Sequence, residues 1–325
     1  MLTELLARSP GAGAYASLLV GAETADDAAV YQLTDALAVV ATTDFFTPIV
    51  DEPFDYGRIA AANALSDVYA MGATPIMALA ILGMPIDVLS REVIREILRG
   101  GEAVCAQAGI PVAGGHSIDS AEPIYGLVAI GVIDPRHLRR NADAHAGDVL
   151  VLGKPLGIGI LSAALKKGQL EAAQYDAMID TTVRLNRAGP ELARLPGVHA
   201  MTDVTGFGLL GHLLEMCRGA QLSARIRMSA VPRLDRVLAL AQAGIVTGAS
   251  MRNWVAYGDH VHLAAAIDEA HRALLCDPQT SGGLLVACDT AVLADVMDVF
   301  RRHGFTRAAA IGNMGAGEAD VTVYL

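Results

Sequence analysis

The chain has 325 residues, of which 53% are hydrophobic and 18% charged, and its 24 basic and 35 acidic side chains give a net charge of −11. This length is typical of two domains, and the composition excludes a disordered or collagen-like chain. The acidic balance repels polyphosphate backbones and argues against nucleic acid as a general partner. The longest uncharged apolar runs, Pro75–Ile86 and Ile124–Ile133, are far shorter than the ~20 residues that cross a bilayer.

The four cysteines, Cys105, Cys217, Cys276 and Cys288, are widely spaced and form no C-x-x-C pair. This spacing favours free thiols over a disulfide framework or a zinc site, and free thiols are typical of a reducing compartment. Near the N-terminus, charged residues interrupt the apolar stretch, which is not the pattern of a signal peptide. We therefore expect a cytoplasmic protein with no membrane partner.

The first half of the chain predicts strands that alternate with two long helices. A strand pair, Ala28–Leu33 and Leu37–Thr43, precedes a helix at Asp55–Met71, whose apolar residues recur near one face. A second helix at Leu89–Ala108 is closed by a glycine. Further apolar runs predict strands at Ile76–Leu82, Ile110–Ala113 and Ile124–Ile133. Such alternation is typical of the α/β class.

The polar stretch Asp134–Gly147 contains three arginines and is the predicted boundary between two domains, 1–140 and 141–325. The second domain is predicted to alternate in the same way, with an irregular segment at Met251–His260 that holds the only tryptophan. Its predicted strands are Asp148–Leu152, Val198–Met201, Ala224–Met228, Leu284–Ala287 and Ala308–Ile311. One predicted helix follows the turn Gly153–Gly159. The other predicted helices are Asp176–Ala193, Gly208–Cys217, Leu234–Ala243 and Ala291–His303.

Four carboxylates stand at or near the ends of predicted elements in the first half. Asp26 and Asp27 precede a strand, Asp44 follows one, and Asp67 lies inside a mostly apolar helix, where an ionised side chain is costly to bury without a partner. Each acid taken alone is most simply interpreted as a turn, cap or exposed residue. Taken together, they indicate a site for a hard cation such as Mg²⁺, which takes oxygen ligands and bridges phosphates.

A glycine pair in Ala113–Asp119 follows a predicted buried strand. Paired glycines allow the backbone to approach a ligand closely, and His116 and Ser117 could donate hydrogen bonds to phosphate oxygens. A plain β-turn is the simpler interpretation of the same residues.

Two further segments in the second half are candidate ligand loops. In Met201–Gly208, Asp203 ends a strand and is well placed for a metal, whereas the neighbouring threonine could cap a helix. Cys276–Gly283 is polar and ends in glycine, which suits either anion contact or an ordinary turn. His212 and the thiol of Cys276 are expected to be structural.

Six motifs of the chain form a recognisable set: Thr24–Tyr31, Thr42–Phe46, Asn63–Gly72, Ala113–Asp119, Thr202–His212 and Cys276–Gly283. Together they resemble the selenophosphate synthetase (selenide, water dikinase) family, over the region from about Leu19 to the C-terminus. The Asp-Asp-Ala-Ala-Val and Ser-Asp-x-x-Ala-Met-Gly elements also occur in aminoimidazole ribonucleotide synthetase, thiamine-monophosphate kinase and a hydrogenase maturation factor. The other motifs are more specific.

The resemblance implies ATP-driven phosphorylation of hydrogen selenide, which gives selenophosphate, AMP and orthophosphate. It implies a two-domain α/β fold like that of aminoimidazole ribonucleotide synthetase, in a homodimer whose N-terminal halves pair into a barrel. Carried over residue by residue, the Mg²⁺ ligands are Asp27, Asp67 and Asp203. The ATP-contacting positions are Thr24, Ala25, Asp26, Asp44 and Asp67, and Gly115, His116 and Ser117 match a loop that reaches ATP from the other subunit.

In the family that the chain resembles, a glycine-rich leader carries the catalytic cysteine or selenocysteine and a nearby lysine. This chain has no cysteine before Cys105 and no lysine before Lys154, so neither catalytic residue can be assigned in it. Loss of a positioned nucleophile or cation typically costs on the order of 10² in rate, so the chain is expected to bind Mg-ATP but to form little selenophosphate. The alternatives are an ATP-binding homologue with a regulatory role and a sister kinase of the same superfamily.

Overall fold

The computed structural model describes residues 15–21 and 26–325. They form two compact units, of which the first extends to Leu138 and also includes Thr182–Asn186. The second unit comprises Arg139–Thr181 and Arg187–Leu325. Each unit is built on one β-sheet with helices, so the predicted α/β class is confirmed. Within these described residues, no helix has the length and apolar character needed to cross a membrane.

The first unit contains a six-stranded sheet and two long helices. The strands are β1 (Leu18–Val20), β2 (Ala29–Thr34), β3 (Leu37–Phe46), β4 (Thr74–Met84), β5 (Val112–Asp119) and β6 (Ile124–Ile133), and the helices are α1 (Pro53–Ala70) and α2 (Arg91–Ala108). The order across the sheet is β1-β2-β3-β6-β4-β5. All neighbouring strands are antiparallel except β4 and β5, which are parallel.

Helix α1 packs against β3, β6 and α2. It begins with Pro53, whose missing N–H costs nothing in the first turn of a helix. Buried Tyr56 ties the helix to the sheet, because its hydroxyl donates to the carbonyl of Phe46 and accepts from the N–H of Tyr125. The two helices touch closely at Gly100, where an added Cβ would lie 2.1 Å from the carbonyl oxygen of Phe54.

The face of this sheet opposite α1 is exposed and apolar. Side chains alternate between the two faces of a strand, so the residues next to buried Val30 and Val40 point away from the helices. Tyr31, Leu33 and Phe45 occupy such positions, and each is about half exposed. The edge strand β5 is also exposed along nearly its whole length.

The second unit contains a seven-stranded sheet in the order β10-β13-β9-β12-β7-β11-β8. The strands are β7 (Val149–Leu152), β8 (Val198–Asp203), β9 (Ser223–Arg227), β10 (Val261–Leu263), β11 (Leu284–Cys288), β12 (Ala309–Gly315) and β13 (Val321–Tyr324). The helices are α3 (Ile158–Lys166), α4 (Ala172–Thr182), α5 (Gly189–Leu192), α6 (Gly208–Ala220), α7 (Val237–Gln242), α8 (Gly248–Tyr257), α9 (Glu269–Leu275) and α10 (Leu293–Arg302). Every residue of β7 and β11 is buried.

Two predictions of local structure were wrong. The glycine pair of Ala113–Asp119 is no turn: it lies within strand β5, where Gly114 and Gly115 have φ values of +122° and +153°. The segment Met251–His260 is not irregular, because most of it belongs to helix α8 and the remainder is a 3₁₀ turn. The side chain of Thr247 starts α8 by accepting a hydrogen bond from the N–H of Ser250.

Other differences concern the extent of elements. The single helix predicted over Asp176–Ala193 is two helices, α4 and the four-residue α5. The short elements β1, β10, α9 and β13 were not predicted at all. Strands of three or four residues carry too few side chains for an alternating pattern to identify them.

Substitution Gly100→Ala tests the close contact between α1 and α2. The added methyl group would collide with the backbone carbonyl of Phe54, which cannot rotate away, so we expect a loss of roughly 1–3 kcal/mol in the free energy of unfolding. The matched control is Gly248→Ala, where the nearest atom is the flexible end of Arg252 at 3.3 Å. Urea unfolding followed by circular dichroism measures both. Equal stability of the two variants would contradict the packing.

Candidate functional site

Four polar side chains on β3 and α1 form two hydrogen-bonded pairs, which we call the β3–α1 cluster: Thr42, Asp44, Asn63 and Asp67. The Thr42 hydroxyl donates to Asp67 Oδ2 at 2.6 Å, and the Asn63 amide donates to Asp44 Oδ2. Thr42 and Asp44 are two residues apart on a strand, and Asn63 and Asp67 are four residues apart on a helix, so each pair shares one face of its element. Packing α1 on that face of β3 therefore brings all four together.

The hydrogen bonds from Thr42 and Asn63 orient the carboxylates, and a hydroxyl and an amide are donors that carry no charge. Burial raises the pKa of the Asp44 carboxyl above its ordinary value, although hydrogen bonds from Asn63 and from the Phe45 N–H oppose this shift. A nearby cation would favour the ionised form of Asp44. The cluster is thus a preformed pair of oxygen donors for a positively charged ligand.

Of the first-unit residues predicted around ATP or Mg²⁺, Asp26, Asp27 and Asp44 lie at the same end of β2 and β3. Ala28 separates Asp26 and Asp27 from β2, whose first residue Ala29 pairs with Ala41, the neighbour of Thr42. The predicted contacts Thr24 and Ala25 lie outside the described residues.

A residue from a distant part of the chain holds one turn of α1. The amide of Asn186 donates to the hydroxyl of Ser66 at 2.7 Å. Both side chains are fully buried, and Ser66 is the residue next to Asp67. The segment Thr182–Asn186 belongs to the first unit although it follows α4 in sequence. It therefore helps to hold the acidic turn of α1 in place.

Gly115, His116 and Ser117 lie at the opposite edge of the sheet from β2. Their strand β5 is three strand spacings from β3, which corresponds to about 14 Å. All three residues are exposed, and Gly115 passes so close to β4 that an added Cβ would lie 2.1 Å from the carbonyl oxygen of Ala80. Within one chain, the structure does not bring these residues to the β3–α1 cluster.

In the second unit, Asp203 is buried at the end of β8, and a tightly held turn follows it. Nε2 of His212 lies 3.2 Å from the hydroxyl of Thr205. Burial lowers the pKa of His212 to about 4, so its ring is neutral at pH 7 and acts here as a hydrogen-bonding group. Two side chains of α8 hold the rest of the turn: Asn253 donates to the carbonyl of Gly206, and Tyr257 donates to that of Phe207.

The loop Cys276–Gly283 uses its polar side chains within the fold. Oε1 of Gln279 accepts hydrogen bonds from the N–H groups of Gly157 and Ile158, and Oδ2 of Asp277 accepts one from Ile160. These acceptors satisfy the backbone donors at the start of α3, which no residue inside the helix can reach. The loop therefore supplies two side-chain acceptors to that helix terminus.

Two more groups of this region are structural. Nζ of buried Lys154 donates to the carbonyl of Ser281 at 2.6 Å, which fixes the end of the Cys276–Gly283 loop. Cys276 is fully buried, and this burial raises the pKa of its thiol to about 11. A thiol with so high a pKa remains protonated at pH 7 and is a poor nucleophile.

The donor set suits a magnesium ion. Carboxylate and hydroxyl oxygens are the hard ligands that Mg²⁺ prefers, and it usually needs only one or two carboxylates beside phosphate oxygens. In the part of the chain that the structure describes, no three His, Cys, Asp or Glu side chains converge as a complete metal site. Of the three predicted ligands, Asp27 and Asp67 belong to the first unit and Asp203 to the second.

Comparison with known proteins identifies both halves of the chain. Residues 25–133 match the family "AIR synthase related protein, N-terminal domain", and residues 145–324 match its C-terminal domain. A selenide, water dikinase of Pseudomonas straminea is 64% identical over 324 residues, which are 99% of this chain and 91% of that protein. Another from Dechloromonas aromatica is 57% identical over 99% of this chain and 93% of its own length. The chain belongs to the selenide, water dikinase family.

Solved structures with the same fold are more distant in sequence. Thiamine-monophosphate kinase from Stenotrophomonas maltophilia aligns with 95% of this chain and 92% of its own, with a TM-score of 0.69 and 20% identity. The hydrogenase maturation protein HypE in complex with ATP covers 92% and 85%, with a TM-score of 0.68 and 21% identity. These likenesses confirm the predicted two-domain fold.

The family assignment separates the three hypotheses drawn from the sequence. Relatives that match over nearly the whole chain are named as selenide, water dikinases, which favours the enzyme over a non-catalytic ATP-binding homologue. A sister kinase of the superfamily is also disfavoured, because thiamine-monophosphate kinase and HypE are similar in fold at only about 20% identity.

The sequence analysis missed several residues that shape the site. Thr42 and Asn63 fall inside quoted motifs, and their spacings of two and four residues from the acids were a signal that could have identified them. Asn186, Asn253 and Gln279 gave no local signal. Their roles depend on backbone groups and hydroxyls far away in sequence.

Substitution Asp277→Asn tests the buried acid at the start of α3. Burial raises the pKa of Asp277 to about 7, whereas an unfolded aspartate loses its proton at about pH 4. Between these values the native state holds a proton that the unfolded state lacks, so the free energy of unfolding falls as pH rises and levels off above pH 7. The variant has no such titration, so its Tm should fall less steeply than that of the wild type between about pH 4 and 7.

The control for this experiment is Asp268→Asn, which alters another helix-capping acid. The backbone N–H of His271 lowers the pKa of Asp268, so its titration lies below the tested range. Its profile of Tm against pH should remain parallel to that of the wild type. A wild-type slope that survives in Asp277→Asn would show that Asp277 is already ionised at about pH 4.

Proposed function

We propose that the chain catalyses ATP-dependent synthesis of selenophosphate from selenide, with release of AMP and orthophosphate. Relatives named selenide, water dikinase match 99% of the chain, and they favour this reaction over the weak selenophosphate formation that the sequence led us to expect. The observation that carries this proposal is the β3–α1 cluster in a chain of the selenide, water dikinase family. Two carboxylates are oriented there by hydrogen bonds from Thr42 and Asn63, and carboxylate oxygens suit a cation that accompanies a phosphate chain. Phosphoryl transfer depends mainly on such positioning and charge neutralisation.

We infer that Mg²⁺ is held by Asp27, Asp67 and Asp203, and that ATP contacts Thr24, Ala25, Asp26, Asp44 and Asp67. When bound, the metal supplies positive charge to the phosphate oxygens. The hydroxyl of Thr42 fixes the rotamer of Asp67, and Asn63 does the same for Asp44, so neither acid must reorganise when the ligand arrives. The partial burial of Asp44 strengthens its interaction with any cation beside it.

We further propose a homodimer in which the exposed apolar face of the first sheet is covered by a second copy. Tyr31, Leu33 and Phe45 would otherwise stay in contact with water on one surface, and large exposed apolar patches mark interaction sites. In such a dimer, the edge strand β5 of one protomer can bring Gly115, His116 and Ser117 to the β3–α1 cluster of its partner. The separation of about 14 Å within one chain supports this trans arrangement.

A cytoplasmic location also belongs to this proposal. All four cysteines are free thiols buried in the fold, and Cys105, for example, is almost completely inaccessible. Structural thiols of this kind are typical of a reducing compartment.

Substitution Asp67→Asn tests the nucleotide and metal site. The amide keeps the size of the side chain and can still accept from Thr42, but it removes one negative charge. We expect an unchanged fold, Mg-ATP affinity weakened by about tenfold or more, and a comparable loss of selenide-dependent AMP formation. Titration calorimetry with Mg-ATP and an AMP assay with and without selenide measure the two effects.

The matched control is Asp87→Asn, an exposed acid in the turn before α2. It should leave both the calorimetric affinity and the AMP assay at wild-type values. Unchanged Mg-ATP affinity in Asp67→Asn would remove Asp67 from the site. Wild-type AMP formation that does not depend on selenide would refute the proposed reaction.

Mixed dimers test the trans arrangement. One protomer carries Asp67→Asn and the other His116→Ala; each change alone should reduce the activity of its homodimer to about a tenth or less. If His116 acts across the interface, a hybrid dimer keeps one intact site, so randomly mixed protomers should recover about a quarter of wild-type activity. If both residues act within one chain, every site in the hybrid is damaged and nothing is recovered. Sedimentation of the wild type should show a dimer at micromolar concentration.

A further inference from the structure

The second unit contains a cavity of about 520 Å³ that is walled by α7, α8 and α9. This volume lies in the range of sites that bind small organic molecules. Its lining shares no residue with the proposed nucleotide and metal site. Two of the lining side chains, Met251 and Val255, are 67% and 85% exposed, so the helix that carries them turns apolar groups toward solvent at the mouth.

The charged groups around this cavity are paired with one another. Arg272 donates to Glu269 at 2.9 Å, and its guanidinium lies 5.1 Å from the centre of the Trp254 ring. Asp268 accepts from the backbone N–H of His271 and lies 2.6 Å from the ring nitrogen of the same residue. Because each of these charged side chains already contacts another side chain of the protein, the lining offers no strong attraction for an ionic ligand. The chemistry favours an uncharged, mostly apolar molecule that contacts the indole ring.

Helix α8 connects this cavity to the turn that follows Asp203. Its residues Trp254 and Val255 line the cavity, whereas Asn253 and Tyr257 hold the carbonyls of Gly206 and Phe207 at 2.9 and 2.7 Å. Asn253 also donates to the carbonyl of Cys276 at 3.0 Å, and Cys276 itself lines the cavity. A ligand that fills the cavity therefore contacts α8, the same helix that holds the turn.

We propose that this cavity binds a small, uncharged, largely apolar ring compound, and that its occupancy stabilises the turn Thr205–Gly208 through α8. The free energy for binding comes from removing the lining of the cavity and the faces of the ligand from water. The stabilisation follows because a ligand that rigidifies α8 also restrains the groups that Asn253 and Tyr257 hold. Neither statement depends on the proposed reaction.

N-Phenyl-1-naphthylamine, an uncharged fluorescent ring compound, is a suitable probe. Trp254 is the only tryptophan of the chain, so energy transfer from tryptophan to the dye has a single donor in the wall of the cavity, and the variants below locate the bound dye. We expect saturable transfer with a Kd on the order of micromolar. Substitution Ala273→Phe, which fills the cavity, should raise Kd by about tenfold or more, and so should Val255→Glu, which places a charge at its mouth.

The matched control is Val88→Glu, which replaces an equally exposed valine far from α8 in sequence and should leave Kd unchanged. Circular dichroism verifies the fold of each variant; if Ala273→Phe does not fold, the exposed position Val255 decides. Non-saturable transfer, or equal Kd values in Val255→Glu and Val88→Glu, would overturn the site.

Amide hydrogen exchange tests the connection to the turn. Saturation with the dye should slow exchange at Thr205–Gly208 in the wild type and leave it unchanged in Val255→Glu at the same dye concentration. Dye binding without slower exchange in this turn would overturn the coupling while leaving the binding site established.

Discussion

The arrangement of the first unit depends on the close packing of α1 against β3. The hydroxyl of Tyr56 links the helix to the C-terminal end of β3 and to β6. Glycines at the α1–α2 contact let the backbones of the two helices approach each other closely. This contact fixes both the height and the rotation of α1 above the sheet. Because Asn63 and Asp67 are one turn apart, that single rotation aims both of them at β3.

Once α1 is in place, the electrostatics of the β3–α1 cluster follow from its donors. A threonine hydroxyl and an asparagine amide orient the two acids, and neither of these donors carries a charge of its own. Burial already makes ionisation of Asp44 more costly than in water.

Buried acids in the two units serve different ends. Asp277 lies at the start of α3, where backbone N–H groups and Gln279 satisfy its oxygens, and burial raises its pKa to about 7. Its contacts are all internal, so it organises the Cys276–Gly283 loop rather than a ligand. The same residue type at Asp67 is only partly buried and is held on one side by a hydroxyl. The two acids thus differ in exposure, because Asp277 is fully buried and Asp67 is not.

The sequence by itself determined the class of the fold, the family and most of the acids of the candidate site. Long helices and buried strands leave periodic apolar patterns, and the motif residues are local in sequence. Only the tertiary structure decided that the glycine pair at Gly114 lies in an edge strand, that Trp254 sits on a helix, and that Asn186 supports Ser66. These features depend on partners far away in the chain. A pattern of neighbouring residues carries no information about which distant hydroxyl or carbonyl will meet a given side chain, because packing of whole elements sets those pairs.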